Sequence, residues 1–301
     1  MRSRITLYLL LLLAIVNIST ASILVRLSGV HGFVAATWRL IISSILTLLL
    51  IGVSRERVSI PGVADLFWMA ISGFALAMHF GLWMMSLHYI NVAPSVTIVD
   101  SYPALLAAAG VVFFGEKPRK LQVIGAVAAM LGVSGLAFYS KDRALAPAGG
   151  NPIIGSLLAF LGMIAVAIYF IIGKSMRRKY STLMYTGVVY SIASIISIIV
   201  TILIGQPLIG YSARTMTYLV LLGILPMLGG HTVINYALAR LSLLSATIPV
   251  LGEPVGAGLL AWALLGEPLL PGEVALMGIT LAGIALVLAF EPQQDGGPGG
   301  I

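Results

Sequence analysis

Cysteine is absent from the 301 residues, which removes a disulfide framework and a thiolate metal site and leaves the redox compartment unread. Charge is scarce as well. Asp, Glu, Lys and Arg make up 9% of the chain, against about 25% in a soluble domain. So few charges cannot cover a water-facing surface of this size, and lipid must be the main solvent. Several motifs are missing too: H-E-x-x-H, G-x-S-x-G and a nucleotide-binding loop. Their absence argues against an intramembrane hydrolase and an ATP-driven pump on this chain. No set of His, Asp and Glu has metal-ligand spacing. The expectation is a non-enzyme with no metal and no cofactor. The net charge of +7 lies in short loops between apolar runs, where topology explains it better than nucleic-acid binding does.

What is present is apolar: 59% of residues are hydrophobic and the mean hydropathy is +1.07. Ten runs approach the length a bilayer requires, at about 5–25, 33–53, 63–87, 94–114, 121–140, 153–173, 182–204, 215–237, 245–265 and 273–290. The first could be misread as a signal peptide, with Arg2 and Arg4 before an apolar stretch and Ser19-Thr20-Ala21 after it. It is retained as a span because residues 1–26 have a counterpart near 152–178. The Gly/Pro-rich tail, 291–301, is expected to be disordered.

A glutamate motif recurs at a fixed spacing. Pro103 and Pro254 are 151 residues apart (254 − 103 = 151), and so are the Gly115-Glu116 and Gly266-Glu267 pairs. Val99/Val250, Val123/Val274 and Gly132/Gly283 keep the same offset. This is the signature of duplication, and the predicted fold is an all-α membrane protein of ten transmembrane helices. Residues 1–140 and 153–290 are the two five-helix repeats, joined by a loop at 141–152. With the N-terminus cytoplasmic, the inside segments hold Arg2, Arg4, Arg55, Arg57, Lys117, Arg119, Lys120, Lys174, Arg177, Arg178, Lys179 and Arg240. The outside segments hold only Arg26, Lys141, Arg143 and Arg214, which places both termini inside. Five spans is an odd number, so the second repeat enters the membrane inverted, as in many secondary transporters.

Trp38-Arg39-Leu40, the run Pro103…Gly115-Glu116…Gly125…Gly132 and the run Leu251-Gly252-Glu253-Pro254…Gly266-Glu267…Gly283 together resemble the EamA-type, ten-helix branch of the drug/metabolite transporter superfamily. The likeness covers about residues 5–290. Two positions depart from it: Leu276, where the repeat spacing calls for the glycine found at Gly125, and the acidic Asp100. The resemblance implies a multi-pass carrier of the cell membrane, plasma or inner. It also implies a central cavity between the halves and efflux of amino acids or related metabolites.

An ionisable side chain in mid-membrane costs roughly 2.5–3.5 kcal/mol on insertion scales, so the few present are site candidates. Glu253 lies eight residues into span nine, about 12 Å deep. Beside Pro254 it either exchanges a proton or holds a substrate amine, or else it caps freed backbone groups. Asp100 lies six residues into span four, about 9 Å deep. On regular helices it falls about 200° from the counterpart of Glu253, which predicts opposite faces and no paired dyad. His79 and His231 sit in corresponding spans, offset by one residue from equivalence, and suit either proton coupling or hydrogen-bonded packing. Arg39 attracts a substrate carboxylate or snorkels to the interface; its place in the family pattern favours a structural role. Asn17, Trp83, Tyr102, Tyr169, Asn235 and Tyr236 are the remaining cavity candidates, with interfacial anchoring as the other reading for the aromatics. Glu116 and Glu267 read as turn and helix-start acids.

The functional expectation is a secondary transporter that exports small metabolites by alternating access, with proton coupling as one option. An uncoupled facilitator or exchanger and a non-transporting scaffold are the alternatives. The expected partners are a small-molecule substrate and the lipid bilayer, with no nucleic acid and the oligomeric state open.

Overall fold

The computed structural model describes residues 2–54, 59–139, 150–265 and 269–292. Arg55, Arg57, Lys141, Arg143, most of the inter-repeat loop, the Gly266-Glu267 pair and the tail from residue 293 onward lie outside the described residues. Among the described residues there is no strand. Ten helical spans are long and apolar enough to cross a membrane: Ile5–Ser28, Gly32–Val53, Val63–Ser86, Val92–Phe114, Lys120–Tyr139, Pro152–Met176, Thr182–Leu203, Ala213–Leu238, Leu243–Leu260 and Pro271–Ala289. They are numbered one to ten below. Their connections alternate between two faces, here called the Glu116 face and the His31 face after a residue on each.

Most of the packing runs between the halves. Spans five and ten pack together, as do three and six, and two and seven; span one lies against span eight, and span four against span nine. Exchanging the halves turns the one–eight pair into six–three and leaves two–seven, four–nine and five–ten unchanged. Close approaches obey the same exchange. Gly73 of span three packs on Ile192, and Gly223 of span eight packs on Ile42. At the five–ten crossing Gly132 meets Leu276, and its counterpart Gly283 meets Gly125. The fold is two inverted five-helix repeats about a pseudo-two-fold axis.

Leu276, the departure from the glycine pattern, lies against Gly135, which has no side chain to oppose it. Gly283 has less room. A Cβ there would stand 2.5 Å from both the Ala129 nitrogen and the Gly125 oxygen. Backbone cannot swing aside as a side-chain end can, and overpacking costs about 1–3 kcal/mol or more. Gly283→Val is therefore expected to lower the thermal midpoint of the purified protein, whereas Gly278→Val, at a position with open space, leaves it in place.

Span one is interrupted at Ser19-Thr20, between the helices Arg2–Ile18 and Ala21–Ser28; spans four, eight and nine are interrupted as well, and each of these three has a sequence cause. Span four is two helices, Val92–Val99 and Tyr102–Phe114, with Pro103 in the first turn of the second. Span nine runs from Leu243–Thr247 through a 3-10 turn, Ile248–Gly252, to a helix Glu253–Leu265 that carries Pro254 in its first turn. Proline is tolerated there because first-turn amides lack an intrahelical acceptor, and the same ring ends the helix before it. Tyr102–Phe114 and Glu253–Leu265 are repeat equivalents at both ends. Span eight widens into a π-helical segment, Gly223–His231, around Pro226. A π turn takes up extra residues. That accounts for the repeat offset rising from 150 at Gly73/Gly223 to 151 at Pro103/Pro254, and it lies in the same stretch as the one-residue mismatch between His79 and His231.

Candidate functional site

The interruptions converge. Arg39 of span two, His79 and Trp83 of span three, Asp100 and Tyr102 of span four, His231 of span eight and Glu253 of span nine line one buried cavity with Phe80 and the apolar Ile18, Ala21, Val99 and Val250. Its volume is about 10 Å³, the room of a single water molecule. All five ionisable groups are buried, Arg39 to 1% exposure.

The break in span four changes the geometry expected for the acids. On an unbroken helix Asp100 and Tyr102 would point apart. Because the helix ends at Val99 and restarts at Tyr102, both reach the cavity. Asp100 and Glu253 therefore face the same space rather than opposite faces, and they interact electrostatically. Arg39 does not snorkel. Its guanidinium lies 3.9 Å from the centroid of the Phe80 ring, a cation–π contact that fixes its plane, and it is within electrostatic range of Glu253.

His79 and His231 approach each other with ring centroids 6.1 Å apart. His79 Nδ1 is 3.0 Å from the Gly162 carbonyl oxygen, which anchors that ring to span six and leaves its other edge toward the cavity. His231 stacks on Phe170 and meets Phe80 edge-on, with centroid distances of 6.1 and 5.1 Å. Tyr102 stacks on Phe170 at 5.4 Å.

Many polar atoms at this site have no hydrogen-bond partner among the described residues: Arg39 Nε, Nη1 and Nη2, Trp83 Nε1, Asp100 Oδ2, Tyr102 OH, His231 Nδ1 and Glu253 Oε1. A buried polar group left unsatisfied costs about 1–3 kcal/mol, and more when charged. Concentrating so many around one cavity is the pattern of a site built to meet a polar solute. The donors among them include those of Arg39 and Trp83, and the carboxylate acceptors belong to Glu253 and Asp100.

The other sequence candidates lie elsewhere. Tyr169 and Asn235 are one layer out: Asn235 Nδ2 donates to Tyr169 OH at 2.5 Å and to the His231 carbonyl at 2.7 Å. This pair supports the carrier turn of His231. Asn17 donates to the Leu13 carbonyl at 2.9 Å and packs beside Gly229. Tyr236 sits under Arg240, 3.7 Å from the ring centroid. None of these four lines the cavity. Sequence reasoning missed Phe80 and Phe170, which hold Arg39 and His231; an apolar aromatic in an apolar span gives no signal of that role. Gly252 and Gly256 pack against Ile15 and Ser19 of span one, so their small size serves contacts within the chain.

Comparison with known proteins agrees with this architecture. The sequence profile of the EamA-like transporter family matches residues 5–138 and again 153–289. The uncharacterized transporter YdfC of Bacillus subtilis (strain 168) is 22% identical over 263 residues, covering 85% of this chain and 83% of its own. An uncharacterized transporter of Archaeoglobus fulgidus is 26% identical over 200 residues, covering 66% of this chain and 69% of its own. A solved structure described only as the crystal structure of a protein superposes with a TM-score of 0.76 at 18% identity, over 94% of this chain and 97% of that one. With ten membrane-length helices in two matched halves around a polar cavity, this chain belongs to the EamA-like transporter family and is a multi-pass membrane transporter of the drug/metabolite transporter superfamily.

Proposed function

We propose that the chain is a secondary exporter of small zwitterionic metabolites, amino acids first among them, working by alternating access with proton coupling. One observation carries this reading: a fork of donors at Arg39 and acceptors at Glu253 and Asp100 face one buried cavity without hydrogen-bond partners among the described residues. Arg39 takes the carboxylate through a bidentate pair. Glu253 and Asp100 take the ammonium, and Trp83 and Tyr102 border the side chain. A cavity of about 10 Å³ is too small for such a solute, so binding requires the lining helices to part. The breaks in spans one, four, eight and nine are where they bend.

The site also sets the coupling. With the histidines neutral, Arg39, Asp100 and Glu253 leave one net negative charge when all three are ionised. One proton makes the site neutral, and a neutral site crosses low dielectric at least cost. The excess of Lys and Arg on the Glu116 face supports a cytoplasmic side for that face and for both termini, in a plasma or inner membrane.

The test is efflux from liposomes loaded with a mixed pool of amino acids and common metabolites under an imposed pH gradient, read by mass spectrometry. Release of amino acids only with the gradient supports the proposal. Release that ignores the gradient replaces it with an uncoupled facilitator or exchanger, and a sample that is folded yet releases none of the pool counts against an amino-acid exporter.

A further inference from the structure

The two halves are related by symmetry, yet their exposure is not. Val92, Ala93 and Pro94 at the start of span four are partly exposed, while their counterparts Leu243, Leu244 and Ser245 at the start of span nine are buried. Thr97 and Ile98 are partly exposed, and Ile248 and Pro249 are buried. At the other ends Leu106 and Ala109 are buried, and their counterparts Ala257 and Leu260 are partly exposed. Spans four and nine are thus closed upon each other toward the Glu116 face and looser toward the His31 face.

The closed end carries a polar device. Gly115 has a φ of +64° and turns the chain out of span four. Glu116 then folds back, its side chain passing over Gly110, where a Cβ would collide with the carboxylate. Both of its oxygens accept from the Leu243 backbone nitrogen, at 2.9 and 3.1 Å, at the start of span nine. Lys174 at the end of span six is 3.4 Å from the same carboxylate and also donates to the Leu241 carbonyl. Glu116 belongs to the first half; Leu241, Leu243 and Lys174 belong to the second. The turn it grips is held from behind by Glu291, which accepts from the Ser242 nitrogen at 2.7 Å, Ser242 Oγ at 2.8 Å and Ser245 Oγ at 2.5 Å. Outside this closure lies a vestibule of about 260 Å³ bordered by Glu116, Lys117, Lys174, Arg178 and Glu291. It shares no lining residue with the central cavity.

We propose that Glu116, Lys174 and the Leu243 amide form a latch that closes the transport path at the Glu116 face and must release for the site to open there. The latch rests on the alternating-access reading above. It differs from the expected role of Glu116 as a helix-start acid of its own hairpin, since the helix start it binds is that of span nine. Glu291 positions the turn and adds a second tie between the halves, accepting from Gln122 Nε2 of span five at 3.1 Å.

The lack of native cysteine allows a sided test. A single cysteine is placed in the central cavity by Val99→Cys, and its labelling by a membrane-impermeant thiol reagent is measured from each face in sealed vesicles of both orientations. Lys117→Cys, exposed beside Glu116, identifies the Glu116 face. Glu116→Gln weakens the charge-assisted bonds. Gly110→Ala, which puts a methyl where the carboxylate lies, displaces it without altering its charge. Both are expected to raise labelling from the Glu116 face by about tenfold and to lower it from the His31 face. No change in either variant overturns the latch, and so does a parallel rise from both faces, which means loosened packing. Unchanged labelling alongside measurable flux by the unaltered chain removes the latch alone. Shifted labelling in a chain that releases none of the amino-acid pool keeps the latch and removes the proposed substrate class.

Discussion

Arg39→Met lowers the flux of an amino-acid substrate by at least about thirty-fold per folded molecule, because it removes the guanidinium fork that lines the cavity. Truncating one partner of a buried, hydrogen-bonded charge pair costs about 2–5 kcal/mol, and about 1.4 kcal/mol is a factor of ten. The guanidinium is pre-oriented by Phe80 at 3.9 Å, so little of its binding energy goes into ordering the side chain. Arg39→Lys keeps the charge and loses the fork, and it falls between the parent and Arg39→Met. Loss of flux alone does not separate binding from structure, since removing Arg39 also leaves Glu253 without its attracting charge. The deciding measurement is a ratio. The parent carries the amino acid better than the corresponding amine without a carboxylate; in Arg39→Met the two fluxes converge. A ratio unchanged between parent and variant would assign Arg39 to packing and remove the carboxylate end of the site.

The fold was legible because its causes are local and cumulative. Apolar length marks each span, and the span limits fall within a few residues of those expected. The 151-residue spacing and the charge asymmetry together point to inversion without any three-dimensional information. The candidate cavity was legible as a set of residues: Arg39, His79, Asp100, His231 and Glu253 were singled out by the cost of ionisable groups in lipid, and all line one cavity. Their mutual geometry was not legible. The 200° separation of Asp100 from the counterpart of Glu253 assumes a continuous helix, and the break after Val99 cancels it. Pro103 signals a break but not which way the preceding residue then points. The one-residue mismatch of the histidines falls at the π segment of span eight, where the helical register departs from that of span three.

Asn17 and Tyr236 show a second kind of limit. In a ten-span bundle most helices bury more than one face, so polar character in an apolar span says that a residue has a partner and not that it faces the substrate path. Asn17 satisfies its amide on its own helix. Glu291 shows the converse. The tail composition suggested disorder from residue 291, yet this carboxylate is gripped by two serines and Gln122. An acid at a helix C-terminus opposes the macrodipole, and that unfavourable placement was the available hint of a compensating partner.

Glu253→Gln abolishes coupling while leaving the chain folded and able to move its substrate. Gln matches the size of Glu and can still accept at Oε1, so the helix start at Glu253 with Pro254 in its first turn is retained. What it cannot do is bind and release a proton. The variant site, with Arg39 balanced by Asp100, is neutral at every pH at which both are ionised, and it crosses without a proton. For one proton exchanged per zwitterion at zero membrane potential, the parent sustains a concentration ratio of about tenfold per pH unit, since a pH unit is worth about 1.36 kcal/mol. In Glu253→Gln that ratio falls to one, while exchange of labelled for unlabelled substrate continues. Asp100→Asn is the control, because its carboxylate shares the cavity and the field of Glu253. Loss of the ratio in Asp100→Asn alone moves the coupling group to Asp100. Loss in both means that the proton is shared by the pair and has no single owner. A ratio of tenfold per pH unit retained in Glu253→Gln removes Glu253 from coupling and leaves it as the partner that holds Arg39 in the membrane.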